Sequence, residues 1–290
     1  MPKNSKINTA SAVNWQVGEA VLTTLSDGYV QLELGTFLKN LPLEDGVAIQ
    51  RKALRSADFL LEINTYLVRS DKHGPILIDC GLGSGVMPTA GQVARALSLV
   101  GLEPKDIEIV LLTHLHGDHV GGLVDIDGNA VFENAKVVFH RDEARYWLEQ
   151  DIDLVADRQG AEGARRALLH YGDRMTLLEG GEVAPDIEMI PLPGHTPGHV
   201  GYRVGSGTEA ILIWGDVVGL PHIQAQRPEA GFLTDYDSAM AVETRKAILG
   251  RAADEGLTVA GMHIEYPGVA NVIRDGNGFR LVPAQWIAHQ

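Results

Sequence analysis

The chain has a single cysteine, Cys80, which excludes an intrachain disulfide framework and a cysteine-built zinc site. A lone thiol fits a reducing compartment, and its expected role is that of a small buried side chain. Positive charge is scarce: 24 Lys and Arg stand against 38 Asp and Glu, for a formal net charge of -14. Such a field repels phosphate backbones and anionic lipid, so neither nucleic acid nor a membrane surface is an expected partner. There is no apolar run long enough to span a membrane, and Asn14, Gln16 and Glu19 interrupt the start before a signal-peptide core can form. A cytoplasmic protein is the expectation. Low-complexity tracts, interdomain linkers and internal repeats are also missing.

With 45% hydrophobic and 21% charged residues, the composition is that of an ordinary globular protein. A chain of 290 residues can bury a substantial core. One domain over 1–290 is expected, with 1–20 a flexible start and 21–60 an N-terminal hairpin and arm.

Residues 21–25 and 29–34 are rich in strand formers around Ser26-Asp27-Gly28, which predicts a hairpin with an Asp-Gly turn. Residues 35–58, with Pro42, Gly46 and mixed charges, show neither period and read as a long loop or arm. Strands are predicted at 62–68, 76–79, 107–112, 136–139, 188–190, 200–204, 210–214 and 257–262. Helices are predicted at 89–100, 142–149, 161–170 and 238–253, the last capped by Asp237 and ended by Gly256. Mixed strands and helices in this order suit a mixed α/β (α+β) fold, two sheets packed face to face with helices outside.

The chemistry is concentrated in His114-Leu115-His116-Gly117-Asp118-His119, four ligand-type side chains directly after a buried strand. Side chains at i and i+2 of an extended chain point to one side, so His114 and His116 can grip one ion. Gly117 then lets the chain turn Asp118 and His119 toward a second, and Gly121-Gly122 permit a close backbone approach. Three further candidates follow apolar runs and adjoin glycine: His195 in Gly194-His195-Thr196-Pro197-Gly198-His199, Asp216 in Trp214-Gly215-Asp216, and His263 in Gly261-Met262-His263.

Together these segments resemble the metallo-β-lactamase superfamily. The family pattern His-x-His-x-Asp-His is met in full, Asp79-Cys80-Gly81 matches its first motif, and the similarity runs roughly from residue 62 to residue 263. The resemblance implies a four-layer αββα sandwich with two divalent metal ions at one edge. One ion would be held by His114, His116 and His195, the other by Asp118, His119 and His263, with Asp216 bridging. Asp79 would orient a ligand imidazole, and His199 would be structural. Mixed N and O donors suit Zn²⁺, with Mn²⁺, Fe²⁺ and Co²⁺ as alternatives. The implied activity is hydrolysis of a small-molecule lactone or ester by a hydroxide shared between the ions. Asp118, Asp216 and, as a leaving-group acid, His222 are the candidate catalytic side chains.

The early segment, the arm and the residues after Asp216 look most like the lactonase and organophosphate-hydrolase (methyl parathion hydrolase-like) branch. In that branch the arm shapes an apolar pocket, for which Phe37, Leu38 and Leu41 are the candidates here, and often a dimer contact, so a homodimer is allowed. Some acyl-homoserine lactonases place a Tyr shortly after the bridging Asp, whereas here Val217, Val218 and Gly219 follow. Lactones with good leaving groups are therefore the expected substrates. The alternatives are a phosphotriesterase or thioester hydrolase on the same ligands, and a metal-binding sensor without turnover. Glu265 reads as a loop carboxylate, Trp147, Trp214 and Trp286 as core or interface, and His73, His140, His170 and His289 receive no role.

Overall fold

The computed structural model describes residues 11–287. Chain order begins with strands β1 (Ser11–Val17) and β2 (Ala20–Leu32), helix α1 (Leu34–Phe37), the two-residue strand β3 (Leu38–Lys39) and helix α2 (Leu43–Lys52). Strands β4 (Phe59–Ser70) and β5 (His73–Ile78), helix α3 (Val93–Ser98), strand β6 (Ile109–Leu111), helix α4 (Gly117–Val120) and strand β7 (Lys136–His140) follow. After helices α5 (Arg141–Glu143) and α6 (Arg158–Leu168) come β8 (Met175–Leu178), β9 (Gly181–Ala184), β10 (Ile187–Pro191), β11 (Val200–Val204) and β12 (Ile211–Ile213). Helix α7 (Pro221–Gln226), β13 (Gly231–Phe232), α8 (Ser238–Glu255), β14 (Thr258–Ala260), β15 (Val269–Asp275) and β16 (Gly278–Pro283) complete the order.

Two seven-stranded sheets, β1-β2-β4-β5-β6-β7-β8 and β16-β15-β14-β12-β11-β10-β9, lie face to face. Alternation along the strands decides what each face touches. Tyr66, Val68, Ile76, Ile78 and Leu111 point inward to meet Tyr202, Val204, Ile211, Ile213 and Ala260 of the second sheet. Their neighbours Leu67, Leu77 and Val110 point outward, under α3 and α6. On the far side α8 covers Leu212, Val259 and Val272 through Ile248, Leu249 and Ala252. Each fully buried aliphatic side chain contributes about 1.5–3 kcal/mol, so the three layers of contact dominate stability. The order of layers is αββα, as the sequence predicts.

The beginning of the chain departs from the prediction. Residues 1–10, half of the expected flexible start, lie outside the described residues, but Ser11–Val17 is an ordered strand paired with β2 from Val17↔Ala20 to Ser11↔Ser26. The hairpin therefore turns at Gly18 and Glu19, and Ser26-Asp27-Gly28 is no turn: β2 runs through it with a bulge opposite β4. Asp27 is swung inward, where its carboxylate accepts the backbone N–H groups of Leu82, Gly91 and Val93 at 3.0, 3.1 and 3.1 Å. Gly28 is required because a Cβ there would stand 2.0 Å from the carbonyl oxygen of Thr89.

Residues 35–58 are not a long loop either. They form α1, β3 and α2, the last with Glu44 and Asp45 in its first turn and Arg51 and Lys52 in its last, the charge order that complements the helix dipole. Pro42 at its N-cap and the buried Gly46 disguise the helix in a propensity reading, while its apolar face joins a small core with Leu34, Leu38, Phe59, Leu61, Leu220, Ile223 and Phe232. The last hairpin, β15–β16, and strands β8 and β9 are not predicted by the sequence pattern. No helix among the described residues is long and apolar enough to cross a membrane.

Candidate metal centre

Parallel pairing brings the site together. β5, β6 and β7 run parallel in one sheet, and β12 and β14 run parallel in the other, so their C-terminal ends share an edge in each sheet. Asp79 follows β5, the 114–119 segment follows β6, Asp216 follows β12 and His263 follows β14. The two edges are bolted together by Val200 N–H to the Thr113 carbonyl at 2.9 Å and by Tyr202 Oη–H to the Leu112 carbonyl at 2.8 Å. Strand ends leave backbone groups and side chains free of the ladder, which is why they carry sites.

Seven predicted ligand side chains converge there. Nδ1 of His116 lies 2.9 Å from Nε2 of His114 and 3.0 Å from Nε2 of His195. Nε2 of His119 is 3.6 Å from Asp118 Oδ2 and 3.3 Å from Asp216 Oδ1, and Nε2 of His263 is 3.5 Å from Asp118 Oδ2 and 3.0 Å from Asp216 Oδ2. Asp216 also approaches the first group, with Oδ2 3.4 Å from His195 Nε2 and 3.9 Å from His114 Nε2. The ligand atoms thus form one set of His114, His116 and His195 and another of Asp118, His119 and His263, with Asp216 between them.

The donor set fits divalent ions. His116 Nδ1 stands about 3 Å from the nitrogens of both His114 and His195, near the edge of about 3.3 Å that a tetrahedron has for Zn–N bonds of 2.0–2.1 Å. Nε2 of His119 and Oδ1 of Asp216 are buried and face each other at 3.3 Å outside good hydrogen-bond geometry, a costly arrangement unless a cation lies beside them. Burial, reinforced by the neighbouring imidazoles, holds His114 and His116 well below the usual histidine range, so both offer lone pairs. Burial alone would raise the Asp216 carboxyl, but His119 and His263 pull it well below the usual carboxylate range.

Three of the five candidate ligand histidines have their outer imidazole nitrogen tied down. His119 Nδ1 donates to Asp79 at 2.6 Å, His263 Nδ1 to the Glu62 carbonyl at 2.6 Å, and His195 Nδ1 to Asp235 at 2.9 Å. His199 uses both nitrogens within the fold, Nδ1 donating to the Leu192 carbonyl and Nε2 accepting the Asp216 N–H, both at 2.9 Å, so no lone pair is left for an ion.

Two buried carboxylates went unnoticed in the sequence. Glu143 accepts Leu115 N–H at 2.9 Å, Trp147 Nε1–H at 2.8 Å and Gly198 N–H at 2.8 Å, clamping the 114–119 segment to the His195 loop. Asp235 was the other. Neither stands in a motif, and only the convergence of distant N–H groups reveals them.

His222 is not among the converging side chains. Its Nε2 lies 3.1 Å from Glu265, which also binds Arg55. Phe37, Leu38 and Leu41 belong to the small arm core, where Phe37 stacks on Phe232 with ring centroids 5.5 Å apart. That core reaches the centre at Gly219, whose Cα faces both Phe232 and the ring of His263. Trp147 and Trp214 are buried, while Trp286 is exposed and donates to the Asn14 carbonyl.

Residues 59–263 match the model of the metallo-beta-lactamase superfamily. An N-acyl homoserine lactonase of Bacillus thuringiensis is 25% identical over 158 residues, 48% of this chain and 56% of that protein. The match therefore spans about half the length of that curated relative. The uncharacterized protein YobT of Bacillus subtilis is 32% identical over 163 residues, 56% of this chain and 64% of that protein. Among solved structures, AidC, a dizinc quorum-quenching lactonase in complex with a product, superposes with a TM-score of 0.90 at 25% identity, covering 97% of this chain and 100% of that one. The hydrolase AbOPH gives 0.88 at 31% identity, covering 97% and 99%. With the fold, the ligand geometry and the family match in agreement, this chain belongs to the metallo-beta-lactamase superfamily.

Proposed function

We propose that the protein is a dinuclear metal-dependent hydrolase that opens lactones or related esters. The observation that carries this reading is the position of Asp216, whose two oxygens face histidines of both ligand sets. A carboxylate so placed would serve two cations at once. His114, His116 and His195 would hold one ion, Asp118, His119 and His263 the other, and Zn²⁺ suits these donors, with Mn²⁺, Fe²⁺ and Co²⁺ as alternatives. Bound ions would lower the pKa of water and polarise the carbonyl oxygen under attack.

The chain's own residues supply orientation and environment. Asp79, Asp235 and the Glu62 carbonyl hold the outer imidazole N–H groups of His119, His195 and His263, which would turn the inner nitrogens toward bound ions. The arm core that ends at Gly219 and Phe232 offers an apolar wall for the uncharged part of a substrate and keeps that side of the site dry. Similarity to a lactonase solved with its product supports a lactone over other esters. Cleavage of an organophosphate triester would call on the same side chains.

The test is metal content per chain together with hydrolysis of an aryl lactone, an acyl-homoserine lactone, an aryl ester and a phosphotriester. About two ions and preferential lactone opening are expected. Two ions with none of the four cleaved would move the function to a binding role, and no bound metal after reconstitution would overturn the reading.

A further inference from the structure

We propose that Asp235 sets the tautomer of His195 and that the buried Arg245 fixes Asp235 for this task, an inference that rests on reading His195 as a metal ligand. His195 turns Nε2 toward His116 and Asp216, so a lone pair is useful there only if the ring proton sits on Nδ1. That nitrogen is 2.9 Å from Oδ1 of Asp235, and both side chains are almost wholly enclosed.

The second carboxylate oxygen is equally committed. Oδ2 accepts the Phe232 N–H at 2.9 Å and faces Nη2 of Arg245 at 3.6 Å. Arg245, 1% exposed, donates its other N–H groups to the carbonyls of Val217, Pro228 and Ala230. A buried ion pair is a weak source of stability, so its retention calls for another reason. Orientation of His195 supplies one. The same turn grips the backbone beneath the ring, through Tyr236 N–H to the His195 carbonyl and Asp237 N–H to the Gly194 carbonyl. Its other end pairs β13 with β3 and sends the Leu233 N–H to the Phe37 carbonyl, so the arm and His195 share one support.

This arrangement separates a positioning role from a packing role. In Asp235→Asn, the site facing Phe232 N–H and Arg245 accepts only an oxygen, so the amide must turn its NH₂ toward His195 Nδ1. Nδ1 must then carry the lone pair and Nε2 the proton, which blocks ligation with no change in volume. Asp235→Ala removes the acceptor without imposing the wrong tautomer.

The experiment is competition for Zn²⁺ against a chromophoric chelator in the full chain, with Co²⁺ visible spectra and melting of the metal-free proteins. The wild type is expected to bind two ions. Asp235→Asn should lose about 10–100-fold in affinity for one of them and alter the Co²⁺ bands. Asp235→Ala should melt lowest yet bind that ion better than the Asn variant. Unchanged affinity in Asp235→Asn, or an Ala variant that binds worse than it, would overturn the proposal and leave the ligand reading intact. A wild type that takes up no ion would overturn both. If Asp235→Asn does not fold, histidine ¹⁵N spectra of the metal-free wild type, at a pH where the ring is neutral, decide: a proton on His195 Nδ1 supports the assignment, and one on Nε2 overturns it.

Discussion

The Asp79 carboxylate lies 2.6 Å from Nδ1 of His119, and both side chains are completely buried. Asp79 is the first residue beyond β5 and adopts a left-handed φ of 56°, from which it also accepts Thr113 N–H at 2.8 Å and Thr113 Oγ1–H at 2.7 Å. One carboxylate thus orients a candidate ligand and closes the turn that precedes His114. Asp79→Ala is expected to weaken binding of the second ion about 10–100-fold and to destabilise the metal-free chain by roughly 1–3 kcal/mol per stranded donor. Chelator competition and denaturant melts measure the two effects separately.

Asp216→Ala should loosen both ions and abolish turnover, because the carboxylate touches histidines of both sets. Metal analysis after dialysis reads the first effect and a lactone assay the second. A fully loaded, active variant would contradict the bridging assignment.

Gly122 passes so close to the first motif that a Cβ would stand 1.9 Å from the Cys80 carbonyl oxygen. Backbone blocks backbone here, and no rotamer relieves it. Gly122→Ala is expected to cost about 3 kcal/mol, the upper end for overpacking, whereas Gly163→Ala, in open space on α6, should stabilise by about 0.5–1 kcal/mol through helix propensity. Urea midpoints of the two variants provide the comparison.

Glu265 is bound by Arg55 and His222, and the Arg55 guanidinium holds its carboxyl at about 2, below an ordinary value of 4.5. A carboxyl depressed on folding stabilises the folded state above the unfolded value and loses that contribution as pH falls from about 4.5 toward 2. The side chain is 40% exposed, so solvent screening reduces the contribution at pH 7 to on the order of 1 kcal/mol. Glu265→Gln should therefore melt below the wild type at pH 7, with the gap shrinking by more than half near pH 3. A gap independent of pH would show that packing, not charge, is lost.

No tyrosine directly follows Asp216, since Val217, Val218 and Gly219 line the chain there, and the next tyrosine, Tyr236, packs its ring on Tyr146. Leaving groups that need little protonation should be favoured. Aryl lactones are expected to turn over at least tenfold faster in kcat than acyl-homoserine lactones, and equal rates in a side-by-side assay would refute it.

How much of this was legible depended on whether the signal was local. Hydrophobic runs that end in His or Asp beside glycine mark strand ends, so the seven candidate ligand positions could be named from the chain alone, while the roles of Asp79 and His199 came from the family resemblance. The period-2 runs and the capped 238–253 segment likewise foretold the layers. Ser26-Asp27-Gly28 misled because an inward bulge uses the same residues as a turn. What distinguishes them is the presence of Leu82, Gly91 and Val93 N–H groups from a loop more than fifty residues away. The helix at Leu43–Lys52 was hidden by Pro42 and Gly46, whose meaning depends on the core they pack against.

By itself, then, the sequence determined the candidate donors, because a ligand motif is written in residue type and short spacing, and the resemblance supplied their grouping. Only the tertiary structure decided who holds those donors in place. Asp235, Glu143, Arg245 and the Glu62 carbonyl reach the centre from segments separated by tens to hundreds of residues, and orientation by hydrogen bond acts over about 3 Å in space regardless of distance along the chain. The partners of His222, Glu265 and the Arg55 bound to it, likewise come from opposite ends of the sequence.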